Sequence, residues 1–385
     1  MISIDLVERV RARLVASSAG ASAAEVAAAL RAEGVVCGDQ DLAALLRAVH
    51  DEVAGAGPLA AVLRHPDVTD VLVNAPDEVW VDRGAGLVPL DVRFRDDAAV
   101  RALVTRLLAG SGRRLDTAQP WVDARLSGGV RLHAVLPPVS RRGTTVSLRI
   151  QRHRPFSLDE LVACATATSV SARLLKAVVS SRLAVVVTGG TASGKTTLLN
   201  ALIGLADPRD RIVIVEDAAE LRPDQSHVVT LEARTPNVDG AGEVTLRDLV
   251  RQALRMRPDR LVVGETRGVE VVDLLAALNT GHDGGLTTLH ANSPADVPAR
   301  VEALAAPAGM HRAAVHTQLV AGLQTVVHLR RLAGGVRTVT EIGVLSGNDG
   351  IAQVLPALTL AGPGPGAALL RRLIAERGGD TDAVP

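Results

Sequence analysis

The rhythm of apolar positions divides the chain into stretches of different character. In residues 1–54, Ile4, Val7, Val10 and Leu14 recur at helical spacing, and SAAEVAAALRAEG and DQDLAALLRAVHDEV repeat the theme. Gly34, Gly38, Gly55 and Gly57 break these runs, which predicts a small helical N-terminal segment. From 55 to 150 the period shortens to β-like runs: VTDVLVN, EVWVDR, GLVPL, VRLHAVLPP and TTVSLRI. With the capped helical stretch DDAAVRALVTRLLAGSG among them, they predict a smaller α+β domain. The polar stretch 151–160, containing Pro155, reads as a linker. Over 161–348 apolar strands alternate with helices: LAVVVTGG, TTLLNALIGL, RIVIVED, SHVVTLEAR, VTLRDLVRQALRMRPD, LVVGE, VEVVDLLAALNTG and GLTTLHA. That alternation predicts an α/β domain whose parallel sheet is buried on both faces. Residues 349–385, with GPGPGAA and a short Arg-rich helix, read as a dispensable tail.

Composition narrows the functional classes. A chain of 385 residues with 47% hydrophobic and 22% charged residues has material for two or three packed domains. Lys+Arg and Asp+Glu both number 42, so bulk charge does not point to nucleic acid. The aromatic inventory is Trp80, Phe94, Trp121 and Phe156, too few for base-stacking platforms or a membrane belt. No direct nucleic-acid partner is expected. Cys37 and Cys164 have no metal-like spacing and read as small core residues in a reducing compartment. The N-terminus lacks a signal peptide's apolar run, and no stretch reaches the roughly 18 apolar residues of a membrane span. A soluble, cytoplasmic protein is expected. All basic residues are arginine except Lys176 and Lys195, so a lysine that persists directs attention to chemistry that arginine does not perform.

Lys195 lies in the clearest motif. Gly189, Gly190, Thr191, Ala192, Ser193, Gly194, Lys195 and Thr196 match G-x-x-x-x-G-K followed by Ser or Thr, with Thr197 continuing into a helix. A strand precedes the loop, as phosphate binding requires. The glycines let backbone N–H groups close around phosphate oxygens, and the helix N-terminus adds a favourable dipole. Lys195 is expected to reach the β- and γ-phosphates of ATP, and Thr196 to hold Mg²⁺. Two further strand ends carry acids that could orient or deprotonate water or hold the metal's hydration shell. RIVIVEDAAE ends in Glu216 and Asp217, followed by Glu220, and RLVVGETRG ends in Glu265. In TGHDGGLTTLHANSP, His282 and His290 flank a strand and suit contact with phosphate oxygens.

These four segments, in this order, resemble the Walker A, Asp box, Walker B and His box of the type II and type IV secretion ATPases. Upstream, GPLAAVLRHPDVTDVLVNAPDEVWVDRGAGL and WVDARLSGGVRLHAVLPP resemble the Flp/Tad pilus-assembly, CpaF-like branch. The resemblance implies a RecA-like P-loop domain, a homohexamer with ATP bound between lobes, and inner-membrane platform proteins as partners. It places the ring peripherally at the cytoplasmic face of the membrane. It assigns Glu216 the general-base role, Glu265 the Walker-B acid and His290 the His-box contact, with Glu216 and Glu265 near the metal. It further implies that Arg125, Arg131, Arg149 and Arg267 neutralise phosphate charge. The alternative is a type IV secretion or conjugation ATPase, and a RecA-like nucleic-acid motor ranks behind it. The chain departs from the family pattern at VDARLSGGVR, which lacks a Gly and an Asp, and at EDAAE, which lacks a Pro.

Overall fold

A computed structural model gives the structure of the chain. It describes residues 55–385 apart from 66, 85, 110, 112, 127–128, 151–154, 235, 237–240 and 333, and before residue 55 only 28, 32 and 33. The helical expectation for 1–54 therefore falls almost wholly outside the described residues, as does Cys37. The chain forms two compact units, Met1–His153 and Arg154–Pro385.

In the first unit, β1 (Asp70–Ala75), β2 (Glu78–Asp82), β3 (Leu87–Leu90), β4 (Trp121–Arg125), β5 (Val130–Val135) and β6 (Thr145–Ile150) form one antiparallel sheet. Its order is β3-β2-β1-β6-β5-β4. Alternate side chains point to one face, and there Val71, Val73, Val79, Val81, Leu132 and Leu148 pack on Val100, Leu103 and Val104 of α1 (Asp97–Leu108). The Asp96 carboxylate accepts the Ala99 N–H and so fixes where α1 begins. The other face carries exposed polar residues, and the register sets Arg125, Arg131, Arg149 and Asp70 in one row across four strands. The hairpin at Leu126–Val130 closes through the Leu126 N–H to the Val130 carbonyl.

The second unit opens with α2 (Leu158–Ala163), whose capping box pairs Ser157 with Glu160, and α3 (Ser169–Ser180), capped by Thr168. Regular structure thus begins inside the stretch read as a linker. Strands and helices then alternate: β7 (Val185–Gly189), α4 (Lys195–Ile203), β8 (Ile212–Glu216), β9 (Val228–Glu232), α5 (Leu246–Ala253), β10 (Arg260–Thr266), α6 (Glu270–Leu278) and β11 (Leu286–Leu289). After them come α7 (Val297–Ala305), α8 (Arg312–Gly322), β12 (Thr325–Arg331), β13 (Arg337–Asn348), β14 (Ile351–Thr359), β15 (Gly362–Pro363) and α9 (Ala367–Glu376). The sheet order is β15-β14-β13-β12-β7-β11-β10-β8-β9, parallel from β12 to β9 and antiparallel from β12 to β15. Every residue of β7 and β8 is buried, as the continuous apolar runs require of strands covered on both faces. Each such Val or Ile contributes about 1.5–3 kcal/mol of burial.

Three expectations are corrected here. The sheet is mixed rather than parallel throughout, and residues 349–385 are not a dispensable tail. β14 pairs with β13 along its length, and Leu370 and Ile374 of α9 are fully buried in the core. In the sequence GPGPG reads as part of a tail because glycine and proline mark loops. Its glycines serve close packing instead: a Cβ on Gly364 would lie 2.4 Å from the Pro356 carbonyl oxygen, and one on Gly366 2.6 Å from that of Leu355. Cys164, expected in the core, is exposed after α2. Among the described residues no helix is long and apolar enough to cross a membrane.

Candidate functional site

All parallel strands deliver their C-terminal ends to one edge of the sheet, where open α/β sheets place ligands. β7 there carries Gly189, β11 leads into His290, β10 ends around Glu265 and β8 ends at Glu216. The strands stand in the order β7-β11-β10-β8, so the last motif in sequence lies beside the first.

The loop from Gly189 to Thr197 joins β7 to α4 and takes its shape from its glycines. Gly189 has φ +149°, and a Cβ there would lie 2.4 Å from the Leu329 carbonyl oxygen, so no larger residue fits. Gly194 turns into α4 at φ +96°, while Gly190 faces open space. Thr191 and Ala192 are exposed, Ser193 is buried, and Thr196 and Thr197 are half-buried on the first turn of α4. Lys195 is buried, and its Nζ donates to the carbonyls of Gly189 (3.1 Å) and Gly190 (2.9 Å). Burial lowers its pKa, and the Glu265 charge acts in the opposite direction.

From Lys195 a chain of polar contacts crosses three strand ends. Nζ lies 3.5 Å from Nδ1 of His290, and Nε2 of His290 lies 2.9 Å from Oε1 of Glu265. The second Glu265 oxygen accepts from Arg267 at 2.7 Å, and Nε of Arg267 lies 3.1 Å from Asp217. Burial, followed by the Lys195 charge, pulls the His290 pKa below the ordinary imidazole range despite Glu265, which favours the neutral ring. A neutral ring presents one donor and one acceptor, which matches a carboxylate on one side and an ammonium on the other.

Glu216 has different surroundings from Glu265. It is buried, and its Oε1 accepts the N–H groups of Glu220 and Leu221, both at 3.0 Å. The carboxylate thereby shapes the turn after β8, and no helix forms around Glu220. It also explains why glycine occupies position 264: a Cβ there would lie 2.7 Å from Cγ of Glu216. Gly264→Ala should displace Glu216 at a cost of about 1–3 kcal/mol, read as a lower thermal unfolding midpoint together with slowed turnover. An unchanged midpoint would show that the two groups are not in close contact.

His282 and His290 do not act together. His282 precedes β11 and His290 follows it, so they occupy opposite edges of the sheet. Arg131 pairs with Asp123 at 2.6 Å and Arg149 with Asp70 at 3.2 Å, both on the exposed face of the first unit, where Arg125 also stands. Three further residues bear on the site without any sequence signal. Arg337 of β13 donates Nε to the Ala192 carbonyl at 3.0 Å, holding a non-glycine residue at φ +57°. Buried His328 of β12 bonds Thr188 at 2.9 Å, directly before the loop. Glu270 accepts the N–H groups of Arg267 (2.7 Å) and Gly268 (2.8 Å), fixing the turn after Glu265.

Among the described residues no group of three or more His, Cys, Asp or Glu side chains is arranged to hold a metal ion. A bound Mg²⁺ usually takes one or two protein ligands and completes its shell with phosphate oxygens and water. The half-buried Thr196 hydroxyl and the partly exposed Glu265 carboxylate fit such a sparse set.

Residues 52–339 match the family described as "Type II/IV secretion system protein". A Mycobacterium tuberculosis protein named as a candidate conjugal transfer protein is 54% identical over 324 residues, covering 83% of this chain and 92% of its own. The conjugal transfer protein TrbB of Rhizobium radiobacter is 32% identical over 269 residues, covering 69% and 80%. The crystal structure of the pilus retraction motor PilT with bound ADP shares the fold at a TM-score of 0.52 and 20% identity, over 81% of this chain and 83% of that one. With the family matched across most of its length, the chain belongs to the type II/IV secretion system proteins.

Proposed function

We propose that this chain is an ATP-hydrolysing motor subunit of a type II/IV secretion machine, working as a homohexamer peripheral to the cytoplasmic face of the membrane on inner-membrane platform proteins. The observation that carries the reading is the unbroken contact chain from Lys195 through His290 to Glu265, which gathers three distant motifs at the rim of one phosphate-binding loop. In this reading the N–H groups of Gly190–Thr196 and Lys195 bind the phosphates. Neutral His290 donates its ring N–H to a terminal phosphate oxygen or accepts from the attacking water through its other nitrogen, and Glu265 receives the proton that water loses. Thr196 and Glu265 would hold Mg²⁺, which neutralises charge on the β- and γ-phosphate oxygens when bound. Glu216 shapes the adjoining turn, and Arg267, Arg125, Arg131 and Arg149 are assigned to phosphate neutralisation. The upstream sequence motifs favour Flp/Tad pilus assembly, and the names of the two relatives favour conjugal transfer as the second reading. Loss of surface pili on deleting the gene would support the first, and loss of DNA transfer the second. The activity itself is tested by phosphate release from ATP, expected with Mg²⁺ and abolished by EDTA. Light scattering should give six times the 40.0 kDa chain mass. Nucleotide binding with no phosphate release, or an active monomer, would refute the reading.

A further inference from the structure

The ladder between β10 and β11 is regular up to Val263, which pairs with Thr287, and resumes at Thr266, which pairs with Leu289. One extra residue is thus accommodated on β10, a bulge of a kind rare between parallel strands. On its other side β10 pairs with β8 only as far as Val263. Gly264 and Glu265 therefore lack regular backbone pairing on both sides, at the place where the acid of the site must be aimed.

Side-chain hydroxyls take over where the ladder stops. Oγ1 of Thr288 donates to the Gly264 carbonyl at 2.8 Å. Oγ1 of Thr287 lies 2.8 Å from that of Thr266, where either hydroxyl can donate, and 3.3 Å from the Thr288 carbonyl. All three threonines are buried. Gly264 is thus held through its carbonyl by Thr288 and covered at Cα by Glu216. Glu265 emerges from this clamp with its carboxylate 2.9 Å from His290. The hydroxyls are polar groups in an apolar sheet, where burial is costly unless each finds a partner. Valine has the same shape and would pack there without that cost, so packing alone does not account for threonine.

We propose that Thr288 is a positioning residue for hydrolysis, its hydroxyl replacing the missing backbone ladder at Gly264 and fixing the direction of the Glu265 carboxylate. The proposal rests on the reading of Glu265 as the residue that acts on water. It is tested with Thr288→Val and Thr288→Ser, made in the full chain and compared by steady-state phosphate release, nucleotide affinity and crystal structure. Thr288→Val should lower kcat about 10²-fold, the effect of a misplacement near 1 Å, with KM and nucleotide affinity within about 2-fold. Thr288→Ser, which keeps the hydroxyl, should restore kcat to within about 3-fold of the parent. In the crystal structures the Glu265–His290 contact should open beyond about 3.5 Å in the valine variant and stay closed in the serine variant. Serine as impaired as valine, a valine variant of full kcat, or an unmoved Glu265 would overturn the proposal. A parent protein without any ATP hydrolysis would overturn the functional reading instead, and the crystallographic comparison would still decide whether the Thr288 hydroxyl aims Glu265.

Discussion

Replacing Lys195 with Ala should lower kcat for ATP hydrolysis by about 10³-fold, equivalent to roughly 4 kcal/mol of transition-state stabilisation. The ammonium is the only lysine charge at the loop, and it sits buried between the Gly189 and Gly190 carbonyls with His290 beside it. A charge held in such surroundings stabilises developing phosphate charge far more than one in water. Alanine is a strong helix former at the start of α4, so the fold should persist, with an unfolding midpoint within a few degrees of the parent. Lys195→Arg should also fail, because a planar guanidinium does not fit a slot built for a point charge. Phosphate release within about 10-fold of the parent in the alanine variant would remove Lys195 from the chemistry.

The second large effect is expected for Glu265→Gln. The amide keeps the shape and a carbonyl oxygen for His290, but it neither accepts a proton from water nor attracts a metal ion. The loss in kcat should be about 10²–10⁴-fold, the range of general-base catalysis, with nucleotide affinity changed less than about 3-fold. Glu216→Gln is the paired measurement. Its remaining oxygen still accepts the Glu220 and Leu221 N–H groups, so the turn survives while the charge is lost. A much smaller loss there would place the base at Glu265, whereas an equal or larger loss would return that role to Glu216. Mutating both acids in one chain adds a check, since residues acting as a unit give strongly non-additive losses.

The hydrophobic rhythm made most of the second unit legible because strands buried on both faces leave little choice of sequence. β7, β8 and β10 each contain a run of Val, Ile or Leu, and the capping boxes at Ser157 and Thr245 mark helix starts through strictly local bonds. The phosphate loop was legible for a similar reason. Its glycines are required by backbone geometry that follows from a strand turning into a helix over a few residues. The C-terminal strands were missed because β13 and β14 mix polar and apolar positions, and because glycines packed against carbonyls look in sequence like glycines in a flexible linker.

The sequence by itself determined the phosphate loop, the identity of the acids and histidines available, and the alternation that makes an α/β unit. All of these depend on neighbouring residues, whose interactions are written in the chain order. Only the tertiary structure brings Glu265 into contact with His290 beside Lys195. That contact depends on strand order in the sheet, where β11 and β10 come between β7 and β8 and a bulge interrupts the β10–β11 register beside Glu265. Glu216 and Glu265 look alike as carboxylates at the ends of apolar strands. Folding gives one of them two backbone N–H partners in the interior and sets the other against His290 and Arg267, because packing brings together groups that the sequence keeps far apart.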